Sequence, residues 1–225
     1  MNSHASSMPA WRQSKWLILV ELAIVVLIFV ADAHHLIPVS KTPFLFLLAW
    51  ISLRLRGLRW RDVGLLRFRN WRTTLLLGVG GGILMELIEL FLSQPLLIRL
   101  TGKQPDLSDF YALRGNLKLT GLALALTWTL AAFGEEMVWR GYLMNRVADL
   151  GNRSRLAWAA SLVVVNVGFG FAHSYQGITG IIDEGFMGLL LGLLYLATNL
   201  SVPIVAHGVA DTIDVLLLFT GKYPL

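Results

Sequence analysis

The chain has 225 residues, 56% of them hydrophobic and only 15% charged, whereas a soluble domain carries about 25% charged residues. Its formal charge of +5 resides in arginines at the ends of apolar blocks, a positive-inside pattern rather than a nucleic-acid-binding one. The absence of cysteine removes disulfides, thiolate zinc sites and cysteine nucleophiles.

In chain order, residues 1–15 are largely polar or small, and no small-residue cleavage site follows the first apolar run, which is expected to be retained. That run, residues 16–31, is interrupted only by Glu21 and ends at His34, His35 and Pro38. Residues 39–53 form a short second span. It stops at a basic stretch, Arg54, Arg56, Arg59, Arg61, Arg67, Arg69 and Arg72, interleaved with Trp60, Phe68 and Trp71, which resembles an interfacial segment on an anionic leaflet. Trp11 and Trp16, with Trp60 and Trp71, suit an interfacial belt. Residues 73–98 form span three, loosened by Gly78, Gly80, Gly81 and Gly82 and carrying Glu86 and Glu89. A loop of mixed charge follows at 99–118. Residues 119–147 form a long span four that ends among Arg146, Arg153 and Arg155, a cytosolic pattern. Spans five, six and seven occupy 156–173, 177–198 and 202–219, with turn signals between them. The expectation is an all-α, polytopic membrane bundle of about seven helices, within a range of six to eight, making one integral membrane domain over residues 1–225.

Ionisable side chains inside spans are costly, and mark functional sites by default. Glu135 and Glu136 follow a charge-free stretch, His173 ends span five, and His207, Asp211 and Asp214 lie in span seven. Glu136 and Arg140 are four apart and share a helix face, so they can pair. Glu135 is turned about 100° from Glu136 and is left to face a cavity with no cation of its own, a position suited to a general base acting on water. His207 and Asp211 also share a face. Two imidazoles and carboxylates from separate helices define either a metal site or a metal-free acid, base and oxyanion constellation. The condition is that Glu135, His173 and His207 reach one cavity, which requires span six to be short or tilted, or the turn at 199–203 to be raised. Asp183 and Glu184, at the start of span six, suit the helix dipole, and Glu86 and Glu89 are open between lining the same cavity and pairing elsewhere.

The stretch Phe133-Gly134-Glu135-Glu136-Met137-Val138-Trp139-Arg140 carries an EExxxR pattern. Phe169 to His173 gives FxxxH, and His207 to Asp211 gives a histidine followed four residues later by an acid. Together, in this order, within residues 119–219, these resemble the three motifs of the CAAX protease and bacteriocin-processing family, also called Abi, of intramembrane proteases. The resemblance implies peptide-bond hydrolysis within the membrane. Glu135 would activate water, His173 would bind or orient it, and His207 and Asp211 would stabilise the oxyanion or complete a metal site. Glu136, Arg140 and Phe169 would support them. A metalloprotease of this kind would hold one divalent ion, zinc, on Glu135, His173, His207 and Asp211; the other form is metal-free and glutamate-dependent. Asp211 stands where prenyl-protein endopeptidases of eukaryotes have asparagine, which tilts it toward a metal-binding or histidine-orienting role.

Expected partners are membrane lipid and a membrane-anchored protein or peptide substrate, with no nucleic acid, in a prokaryotic plasma membrane. A non-catalytic scaffold or bacteriocin-immunity protein of the same fold is the alternative. A proton-coupled carrier would show repeated broken helices in both halves, and none is evident.

Overall fold

A computed structural model describes residues 11, 14–38, 40–66 and 70–224. Most of residues 1–15, Val39, and Arg67, Phe68 and Arg69 of the basic stretch lie outside the described residues. Among those described, there is no strand. The helices are α1 Lys15–Ala33, α2 Thr42–Leu55, α3 Trp71–Thr101, α4 Leu117–Leu150, α5 Arg155–Ala172, α6 Gly177–Ala197 and α7 Ser201–Thr220. All but α2 are long and apolar enough to cross a membrane. Helix α2 would extend only about 21 Å at its rise per residue, short of the roughly 30 Å of a hydrocarbon core.

Helix starts follow local chemistry. The Asn70, Asn116 and Ser154 side chains accept from the backbone N–H of Thr73, Leu119 and Ala157, capping α3, α4 and α5, which satisfies one of the orphan amides each helix start exposes. The outward faces remain apolar: Trp16, Val26 and Leu27 on α1, and Leu76, Leu84 and Phe91 on α3, are exposed. Such faces are tolerable only against lipid, and the chain is an integral membrane protein.

Helix α1 docks on the end of α2 through charge. Glu21 is buried, accepts from Ser52 Oγ at 2.8 Å and from Arg56 Nη2 at 3.0 Å. Arg56 is therefore not an interfacial cation as the basic stretch implied; Glu21, the one acid within residues 16–31, draws it inward. Trp60, stacked on Phe46 with ring centroids 5.2 Å apart, is likewise half-buried, whereas Trp16 and Trp71 are exposed.

Helix α3 lies against α7 through a glycine face. A Cβ on Gly82 would meet Val209 Cβ at 2.8 Å and collide with the Ala206 carbonyl, and one on Gly78 would meet Val205 Cβ at 2.5 Å. Small residues four apart thus let two backbones approach, and the same face continues to Glu86. At the centre, α4 packs against α2, α5 and α7. Its Trp139 and Tyr142 form a core with Ala49, Val165 and Phe169.

Candidate active site

Helix α4 widens to π geometry over Thr127–Glu135 and again over Met137–Leu143, a distortion common at functional sites. Gly134 lets α2 close on this segment, since a Cβ there would lie 2.8 Å from Thr42 Cγ2. The two adjacent glutamates diverge as their spacing required. Glu136 is fully buried and is gripped by Arg140. Glu135 is half-buried on the wall of a cavity of about 350 Å³, and its Oε2 meets no hydrogen-bond partner.

Arg140 holds the interior together. Its Nη1 donates to Glu136 Oε1 at 2.6 Å, and its Nη2 donates to Asn166 Oδ1 at 3.0 Å on α5 and to the Gly188 carbonyl at 2.8 Å on α6. The guanidinium carbon lies 4.5 Å from the centre of the Phe169 ring. A buried cation left without such partners would be strongly destabilising. Asn166 was missed in the sequence because an amide within an apolar helix carries no motif; its spacing of three from Phe169 was the available signal.

From α7, His207 Nδ1 lies 3.0 Å from Glu136 Oε1, and its Nε2 lies 3.5 Å from Asp211 Oδ1. An ionised carboxylate can only accept, so Nδ1 carries the proton. From the end of α5, His173 Nδ1 lies 2.9 Å from the Phe169 carbonyl. A carbonyl also only accepts, which leaves the opposite nitrogen, Nε2, as the one available to a ligand. The Phe169 ring stands between the two imidazoles, its centroid 4.7 Å from His173 and 6.2 Å from His207.

Glu135, His173, His207 and Asp211 all line the same cavity. This meets the geometric condition set by the sequence. Helix α7 begins at Ser201, and its start is held by the loop after α2: Leu200 N donates to the Gly64 carbonyl at 3.0 Å, and Ser201 Oγ to that of Leu66 at 3.3 Å. The turn before α7 is thereby tied down, which fixes where His207 enters the bundle.

The loop after α3 does more than connect. Pro105, Leu107, Phe110 and Leu113 line the cavity, and the loop is fastened by Asp106 N donating to the Gln176 carbonyl at 3.0 Å and Thr179 Oγ1 donating to that of Lys103 at 2.8 Å. Exposed Asp106 is held below the usual carboxylate range by the Ser108 hydroxyl and backbone amide. Asp183 and Glu184 do not sit in the first turn of α6 as their place in the sequence suggested; the helix begins six residues before Asp183, at Gly177. Asp183 instead accepts from Ser93 Oγ at 2.6 Å, and Glu184 from Gln176 Nε2 at 2.8 Å. Both line the cavity, as do Glu89 and Asp214.

A zinc ion holds its N and O ligands at about 2.0–2.2 Å, which demands converging donor atoms. Glu135 has a free oxygen and His173 a free nitrogen, and His207 Nε2 faces Asp211, itself one of the expected ligands, so the question is whether the four sets of donor atoms converge. Among the described residues, the trio whose ligand atoms lie within 4.8 Å of one another is Glu86, Glu89 and Asp214. As arranged, Glu135, His173, His207 and Asp211 do not gather around one ion.

Helices long and apolar enough to cross a membrane, enclosing a cavity lined by Glu135 and two imidazoles, define a polytopic membrane protein with ionisable side chains gathered in its interior. Residues 118–213 match the family model of Rce1-like, type II CAAX prenyl endopeptidases. That segment holds all three motifs, so the resemblance to the CAAX protease and bacteriocin-processing family is shown over it, and it supports an intramembrane protease. No curated protein and no solved structure matches the chain.

Proposed function

We propose that the chain is an endopeptidase that hydrolyses a peptide bond of a membrane-associated protein or peptide, with Glu135 activating water and no metal taking part. The observation that carries the reading is the meeting of Glu135, His173, His207 and Asp211 on one cavity wall. Glu135 accepts a proton from water as the oxygen attacks the scissile carbonyl carbon, and later passes that proton to the departing amine. His173 Nε2 accepts a hydrogen bond from the same water and orients it. His207, once protonated at Nε2 as well, donates to the oxyanion of the tetrahedral intermediate. Its ring is positioned by Glu136 at one nitrogen and Asp211 at the other.

Glu136 and Arg140 do not touch the reacting atoms in this scheme. They fix α4 so that Glu135 points the other way. The apolar side of the cavity, formed by Leu107, Phe110, Leu126 and Leu130, suits a substrate held at the membrane by a lipid chain or a hydrophobic segment.

Purified full-length protein and its Glu135→Gln variant, compared on membrane-anchored peptides with and without a prenyl group, test the proposal. Cleavage by the wild type that is lost in the variant is the expected result, and equal cleavage by both refutes the assigned role. The comparison of the two peptide sets reads out whether prenylation is required.

A further inference from the structure

A second acidic cluster borders the cavity beside the motif residues, with Glu89 and Asp214 on the cavity lining. Glu86 and Glu89 come from α3 and Asp214 from α7, and one oxygen of each lies within 4.8 Å of the others. Glu86 and Glu89 fall outside the segment matched by the family model, and Asp214 is the residue just beyond its end. None of the three takes part in the reaction scheme above.

The fold brings them together. The face of α3 that starts with Gly78 and Gly82 continues by the same spacing of four to Glu86, so the close approach to α7 brings that carboxylate beside Asp214. At Glu89 the helix opens into a π turn, Glu89–Ser93, which turns Glu89 into the cavity.

The cluster receives no donor from outside itself. Glu86 is only 2% exposed, and its carboxyl meets that of Asp214; neither Glu86 oxygen nor Asp214 Oδ1 accepts from any other group. Donors nearby are directed elsewhere: Ser93 to Asp183, Gln94 to the Tyr223 hydroxyl and Gln176 to Glu184. Among the described residues lining the cavity, there is no lysine or arginine. Buried carboxyl oxygens that converge without a donor are the surroundings a hard cation takes, because such ions select oxygen ligands and offset like charges at close range.

We propose that Glu86, Glu89 and Asp214 form a binding site for a divalent, oxygen-seeking cation, of the magnesium, calcium or manganese type, separate from the catalytic residues. The ion ties α3 to α7 beside the reaction centre. Because the site uses none of the residues assigned to hydrolysis, it stands or falls independently of the peptidase reading.

Manganese binding to the detergent-solubilised full chain, followed by electron paramagnetic resonance, tests it. The expected result is one ion bound per chain, displaced by magnesium or calcium, with affinity reduced by about tenfold or more in Asp214→Asn and Glu86→Gln. Glu89→Gln, at the half-buried member, provides a variant that leaves the deep carboxylate in place. Glu135→Gln should bind manganese as the wild type does. Absence of binding by the wild type, binding that survives all three cluster substitutions, or loss of binding in Glu135→Gln alone overturns the proposal.

Discussion

His207 Nδ1 lies 3.0 Å from Glu136 Oε1, the same oxygen that Arg140 Nη1 reaches at 2.6 Å. A single carboxylate oxygen on α4 therefore anchors a cation from its own helix and an imidazole from α7. The first and third motifs meet there, and the second joins them through Phe169, whose ring lies against Arg140, His173 and His207.

Replacing Arg140 with methionine leaves Glu136 buried against His207 alone. The expected loss of stability is about 3–5 kcal/mol, the usual consequence of removing one partner of a buried ion pair. Thermal unfolding in detergent measures it. Combining Glu136→Gln with Arg140→Met should recover part of the loss, since no uncompensated charge then remains; a double variant worse than the sum of the two would contradict the pairing.

His207→Gln should lower kcat by about 10²–10³, the range for losing one oxyanion donor, with KM nearly unchanged. Asp211→Asn should cost less, because Nε2 and Oδ1 are 3.5 Å apart, too far for a strong hydrogen bond. Steady-state kinetics on a cleavable anchored peptide checks both, and a large rise in KM with kcat preserved would assign His207 to ground-state binding instead.

Gly134→Ala places a methyl against Thr42 Cγ2. Overpacking of this kind costs about 1–3 kcal/mol, and Thr42→Ser, which deletes the opposing methyl while keeping the hydroxyl, should restore most of it. Melting temperatures of the two single variants and the double variant decide the matter.

Arg56→Leu should destabilise the chain by about 3–5 kcal/mol, because buried Glu21 loses the cation that pairs with it at 3.0 Å. Urea or thermal unfolding in detergent provides the measurement, and an unchanged midpoint would show that α1 docks without this contact.

Much of the architecture was legible from sequence. Apolar block length gave the spans, and a spacing of four gave Glu136 with Arg140 and His207 with Asp211, because both signals depend on helix geometry alone. Long-range partners were hidden. That Arg56 turns inward to Glu21, that Asp183 takes a hydrogen bond from Ser93, and that Asn166 completes the Arg140 network all depend on which helices pack together, and a residue's local neighbours do not specify that. Glu86 and Glu89 were visible as anomalies, but their meeting with Asp214 follows from the glycine face of α3, whose partner helix could not be read from α3 itself.

The Phe169 ring contacts Trp139 edge-on at 5.4 Å, as well as Arg140, His173 and His207. Shared contacts make energetic effects non-additive. A change at residue 169 will therefore alter the effect of any change at 139, 140, 173 or 207, so these five positions should drift together in descent, or not at all.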